Sequence, residues 1–262
     1  MSEKYIVIGD IHGRYDLLDE LINKIGDLMF LDASIVATGH KFVFLGDLVD
    51  RGPDSYKVVD RVKKMHEKGS AIVVRGNHED MMIDYYNNKV GRFDRYDLWI
   101  SNGGDKTIDS YTHEKKVYGR SNFFSVAHEH VAWLKSLPYF YETDEIFMSH
   151  APVPTDEYLY RDLDYRLNVS ALTWSYHGDH GVAEDKFARD HGKLAVCGHV
   201  AAVREGILTP RIYPHIVYAD TGCGLAPWCP LTAVIIEDGK YKRFIQAYPD
   251  FPVPEKYQRK AA

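Results

Sequence analysis

The 262-residue chain has little cysteine, no long apolar run and no surplus of positive charge, and each shortage removes a class of protein. Its three cysteines, Cys197, Cys223 and Cys229, make no obvious disulfide framework, so the expected compartment is a reducing cytoplasm. No signal peptide is expected ahead of the first strand-like run, which begins by about Lys4, and no apolar stretch approaches bilayer-spanning length. A formal net charge of −6 disfavours nucleic acid as a partner, because such binders normally present a basic face. No Pro/Gly/Ser-rich linker, internal repeat or low-complexity tract divides the chain. One domain spanning 1–262 is expected, long enough to bury a sizeable core.

What the sequence does contain is concentrated in three blocks of its first third. Gly9-Asp10-Ile11-His12-Gly13, Gly46-Asp47-Leu48-Val49-Asp50-Arg51-Gly52 and Arg75-Gly76-Asn77-His78-Glu79 supply oxygen ligands, imidazoles and arginines. Each follows a short β-branched run, Tyr5–Ile8, Phe42–Leu45 or Ala71–Val74, that reads as a strand buried on both faces. The first two are followed by helical spacing, at Leu17, Leu18, Leu21, Ile22 and Ile25, and at Tyr56, Val59, Val62 and Met65. In open α/β sheets ligands bind beyond the carboxyl ends of strands, so these polar turns are expected to converge.

The residue types suit metal ions. Asp10 and His12, two apart, point the same way if the segment is extended. Asp47 has two carboxylate oxygens and can bridge two ions, and Asn77 adds a neutral oxygen. Two later strand-like runs end in His150 and His199, and neutral imidazole is the commonest nitrogen ligand for transition metals. The count becomes Asp10, His12 and Asp47 on one ion, and Asp47, Asn77, His150 and His199 on the other. Alone, each residue has a plainer reading as a turn, a cap or a strand end; together, the plain readings would all have to coincide.

These five blocks resemble the signature of the calcineurin-like metallophosphoesterases, and within them the small bacterial and phage members of the PPP serine/threonine phosphatases, with the pattern GDxHG, GDxVDRG, GNHE, a strand-end His and a later GH. The similarity runs from about residue 5 to 199, with weaker likeness through Ala219-Asp220-Thr221-Gly222 and Leu231-Thr232-Ala233, and the small members also carry a stretch like Asn102-Gly103-Gly104 followed by one like Trp133–Pro138. It implies two packed mixed β-sheets flanked by helices, an α/β fold. It also implies two divalent cations, manganese first with iron or zinc acceptable to the same donors, holding a bridging hydroxide for in-line attack on phosphorus. His78, left out of the ligand count, is then the general acid, Asp50 its orienter, and Arg51 and Arg75 the phosphate ligands.

The chain departs from this pattern once. Where small relatives carry a Trp-x-Arg element, this sequence reads Trp174-Ser175-Tyr176, so either Arg161 or Arg166 reaches in or two arginines suffice. Glu79 is read as a first-turn helix residue favoured by the macrodipole rather than a ligand. His113, His128, His130, His177, His180 and His191 are read as mostly solvated, with His177 and His180 nearest the site. Tyr85 and Tyr86 are expected to cover an irregular insert. Inserts are expected at about 88–125 and 153–190, with little periodicity, and a loosely held tail from about 249. Runs at 216–218, 233–236 and 244–247 read as strands, the last two joined by a Glu237-Asp238-Gly239-Lys240 turn.

The leading expectation is a metal-dependent phosphomonoesterase acting on phosphoserine or phosphothreonine in a phosphoprotein or small phosphorylated substrate. The alternative is a dinucleoside polyphosphate hydrolase; such relatives typically carry Ala and Asp where this chain has Asp50 and Glu79. A silent binding scaffold would have lost His78 or a ligand, and a nuclease fits poorly with the acidic charge.

Overall fold

The computed structural model describes residues 4–31, 39–87, 98–114, 120–153, 173 and 185–258. Alternation along its strands decides the layering, because successive side chains point to opposite faces. In β1 (Lys4–Ile8), Ile6 and Ile8 face one hydrophobic cluster while Tyr5 and Val7 face another. β2 (Lys41–Phe44) and β3 (Ala71–Val73) pair with it in parallel, β1 to β2 to β3. β9 (Leu231–Glu237) runs antiparallel on the other side of β1, and β10 (Lys240–Ala247) completes a five-stranded sheet in the order β10-β9-β1-β2-β3. The β9–β10 turn places Asp238 and Gly239 at φ of +50° and +65°, as a tight hairpin requires.

A second sheet has the order β4-β5-β6-β8-β7. Its centre is three parallel strands, β5 (Ile146–Ser149), β6 (Leu194–Cys197) and β8 (Ile216–Tyr218). Short antiparallel strands, β4 (Phe140–Glu142) and β7 (Arg211–Ile212), close its edges. Ile146, Met148, Leu194, Val196 and Val217 meet Tyr5, Val7, Val43, Val234 and Ile236 between the sheets. Phe147, Ala195, Ile216 and Tyr218 face outward toward Ala188, on the helix Asp185–His191. The expected arrangement of two mixed sheets with helices outside is therefore present.

The first sheet is covered by α1 (Tyr15–Leu31), α2 (Ser55–Glu67) and α3 (Asn77–Asn87). Leu17, Leu18, Leu21 and Ile25 bury one stripe of α1, and Val58, Val59 and Val62 one stripe of α2. Residues 98–114 and 120–136 differ from the irregular insert expected there. A π-helical turn at Ile100–Gly104 leads into α4 (Asp105–Glu114), and α5 (Arg120–Ser136) follows. Their aromatics, not a clean helical period, anchor them: the Trp99 and Phe123 rings lie 5.9 Å apart, and the Tyr85 ring sits tilted 4.7 Å from Trp99. His130, expected to be solvated, is buried on α5 with Nδ1 2.9 Å from the Tyr111 hydroxyl. Near the C-terminal end a short helix, Glu255–Gln258, brings Tyr257 to 6.0 Å from Trp228. All three cysteines are buried and none is in a disulfide among the described residues, and no helix among them is long and apolar enough to cross a membrane.

Candidate active site

The carboxyl ends of β1, β2, β3, β5, β6 and β8 open on one side of the two sheets, and the polar blocks meet there. Asp10, His12, Asp47, Asn77, His78 and His150 are all buried, and His199 is nearly so. The meeting is close because the loops interlock. Gly46, at φ +90°, packs against the Gly76 amide, where a side chain would collide with backbone. Ile11 and His12 donate their amides to Asp47 O at 3.0 and 2.9 Å.

Asp10 and His12 do share one side, but not by the extended geometry expected from their spacing. The chain turns at His12, whose φ is +46°, and this brings its Nε2 to 3.9 Å from Asp10 Oδ2 and 3.5 Å from Asp47 Oδ2. The other ring nitrogen, Nδ1, donates to Val49 O at 2.9 Å, which leaves the Nε2 lone pair facing those carboxylates. His150 is arranged the same way. Its Nδ1 donates to Leu45 O at 2.8 Å, and its Nε2 then points at Asn77 Oδ1, 2.8 Å away, and Asp47 Oδ1, 3.3 Å away. Three lone pairs aimed at one another are reconciled by a cation.

The electrostatics agree. Burial, then Asp220 and Asp47, push the Asp10 carboxyl well above its ordinary range, and burial, then Glu79, does the same to Asp47. Burial holds His12 and His150 well below theirs, and pushes His199 down to about 4. Neutral imidazoles beside carboxylates short of positive charge are what a divalent ion needs. Donor atoms of Asp47, His150 and His199 lie within 4.8 Å of one another, as do those of His12, Asp47 and His78. The Arg51 guanidinium stands where such charge belongs, with Nη1 against His12 Nε2 and Nη2 3.0 Å from His78 Nε2. The residues present thus fit a two-cation centre.

His78 is held from behind. Its Nδ1 lies 2.6 Å from Asp50 Oδ2, and the fully buried Asp50 also accepts the Trp99 indole N–H at 3.0 Å and the Thr107 hydroxyl at 2.7 Å. Burial raises the Asp50 carboxyl to about 8, opposed by the Thr107 and Trp99 donors, while burial and Arg51 lower His78. Gly103, at φ +99°, lies against the Arg51 backbone and accepts its amide at 3.1 Å, so the Asn102-Gly103-Gly104 stretch supports the arginine.

One residue lies elsewhere than expected. Arg75 does not border the ligand cavity: its guanidinium carbon sits 4.1 Å over the Tyr139 ring, and Nε pairs with Asp80 at 3.1 Å. An arginine next to a strand-end ligand can point either way, and here Tyr139 and Asp80 hold it on the far side. Glu79 is in the first turn of α3, as expected, and is fully buried. It accepts the amides of Asp47 and Gly76 at 2.8 Å and of Leu48 at 2.7 Å, clamping two ligand loops together. The reach back to Gly76 is the Glu half of a capping box, a signal available in the spacing.

Asp220 and Arg204 were not singled out from sequence, yet both border the same cavity, of about 140 Å³. Asp220 follows β8 and accepts the Gly222 amide at 2.7 Å; Arg204 comes from the 3-10 turn Ala202–Glu205 after His199. Arg204 is therefore a second guanidinium on the cavity wall beside Arg51. Arg161, Arg166, Trp174, His177 and His180 lie outside the described residues.

Residues 3–202 match the model of the calcineurin-like phosphoesterases. The chain belongs to that family. As a calcineurin-like phosphoesterase it is a hydrolase, and the family implies divalent metal ions, for which the converging donors provide candidate ligands. It is similar to the Bis(5'-nucleosyl)-tetraphosphatase PrpE (asymmetrical) of Oceanobacillus iheyensis, 27% identical over 228 residues with 84% of each chain covered. The protein of the same name from Bacillus subtilis strain 168 is 28% identical over 225 residues, covering 84% of this chain and 86% of the relative. A protein serine/threonine phosphatase from Saccharomyces cerevisiae shares the fold at a TM-score of 0.51 and 17% identity, over 97% of this chain and 82% of that one.

Proposed function

We propose that the chain hydrolyses dinucleoside tetraphosphates asymmetrically, to a nucleoside triphosphate and a nucleoside monophosphate. The observation that carries this reading is the similarity to two tetraphosphatases along 84% of the chain. It reverses the preference for phosphoserine drawn from Asp50 and Glu79. Asp50 holds His78, and Glu79 holds three backbone amides, and neither task selects a substrate.

Asp10, His12 and Asp47 would hold one cation, and Asp47, Asn77, His150 and His199 the other, with manganese first and iron or zinc compatible with the donors. When bound, such ions activate water and neutralise charge on the phosphate oxygens. The protein's own groups do the rest. Asp50 fixes the His78 ring so that Nε2 faces the cavity and can give its proton to the departing oxygen. Arg51, released from the two imidazoles, turns its fork to the phosphate, and Arg204, which lines the same cavity, adds a second guanidinium.

The deciding experiment compares rates on a dinucleoside tetraphosphate, a phosphoserine peptide and a phosphodiester, with Mn²⁺ supplied. The tetraphosphate is expected to be cleaved fastest, and chelation to abolish all turnover. Preference for the phosphopeptide would instead favour a phosphomonoesterase. Activity indifferent to chelator would overturn both.

A further inference from the structure

A cavity of about 140 Å³ can hold a reacting phosphate but not the rest of a dinucleoside tetraphosphate; sites for ligands of that size run to several hundred Å³. The space continues on the other side of Arg51. A second, more open cavity of about 490 Å³ shares Arg51 and Leu225 with the first, and Arg14 lines it. We infer that this second cavity receives the phosphate chain beyond the scissile bond, and that Arg14 is its ligand. This deepens the proposed function and rests on it.

Arg14 is placed and oriented for the task. It directly follows the first ligand block and precedes α1, and its side chain is 16% exposed. Nε and Nη2 grip the two oxygens of Asp16 at 2.9 and 2.7 Å, a bidentate pair. The guanidinium is thus preset in the geometry that fits two phosphate oxygens equally well. Its partner is expendable, because Asp16 is 56% exposed and ion pairs so open to water hold weakly. Asp54, another carboxylate lining this cavity, is already held by Lys57 at 2.8 Å. A polyphosphate would therefore displace Asp16 from Arg14, while Arg51, on the shared wall, spans both halves of the substrate. A simple phosphomonoester has nothing to place in the second cavity.

The test uses inorganic tripolyphosphate and orthophosphate as inhibitors of aryl phosphate hydrolysis by the Mn²⁺-loaded enzyme, with free Mn²⁺ buffered. In Arg14→Gln, the ratio of the tripolyphosphate to the orthophosphate inhibition constant is expected to rise about tenfold, or about 1.4 kcal/mol. In Asp16→Asn, which frees the guanidinium, the same ratio is expected to fall. An unchanged ratio in Arg14→Gln, or a rise in both variants, would overturn the assignment, the latter by making the pair structural. The outcome separates from that of the parent reading. If the wild type leaves dinucleoside tetraphosphates intact while the ratio still shifts, the Arg14 site stands and the substrate assignment falls. If the wild type cleaves them and the ratio is fixed, the reverse holds.

Discussion

His78 is gripped by two regions of different kind. In front, the strand-end loops carry it one residue from Asn77, within a block short enough to be read as a unit. Behind, it is held across a long reach of sequence, through Asp50 to Trp99 and Thr107 in the segment 98–114. The front supplies donors by local spacing, whereas the back supplies orientation by tertiary packing. An imidazole that must face one way owes its identity to the first and its aim to the second.

Breaking the front should have the largest effect. His78→Asn is expected to lower kcat about 10²- to 10⁴-fold, most for alkyl phosphates and least for anhydrides, with metal content by elemental analysis unchanged. Because His78 also lies near His12 and Asp47, loss of metal in this variant would move it into the ligand set. Next comes the clamp between loops. Glu79→Gln weakens charge-assisted bonds to three amides and should cost about 2–3 kcal/mol of stability, or about 4–12 °C in Tm, by thermal unfolding. A variant as stable as the wild type would mean that the loops hold each other without it.

The back should be milder. Trp99→Phe keeps the ring packing and removes the N–H to Asp50, so kcat is expected to fall roughly fivefold to tenfold, with KM and metal content held. A fall as deep as that of His78→Asn would erase the distinction between the two regions. The smallest effect is expected from Arg75→Gln, less than about threefold in kcat/KM, because Asp80 and Tyr139 keep this arginine off the cavity. A hundredfold loss would return Arg75 to the phosphate.

The same contrast explains what could be read from the sequence. The strand runs, the converging blocks and the hairpin at Asp238-Gly239 follow from short-range patterns, apolar runs closed by Gly and Asp. Trp99 and Thr107 carry no such pattern, since their partner is about fifty residues away and their helices are fixed by aromatic contacts. Arg75 lies elsewhere than expected for the opposite reason. Its position beside a ligand was legible, but its direction was set by Tyr139, sixty-four residues on. Arg204 and Asp220 follow strands of the second sheet, whose neighbours become visible only when β6 and β8 pair.

Among the described residues, six other than glycine have positive φ, and His12, Asp47, Asp50, Arg51 and His199 are five of them. The left-handed region is uncomfortable for any side chain, at about 1–3 kcal/mol where it is least tolerated, and arginine lacks the local hydrogen bonds that ease it for aspartate. The fold therefore keeps its reactive groups on bent springs. Relaxing them with glycine would ease the backbone and disarm the site, so part of this protein's stability is surrendered to hold its chemistry in place.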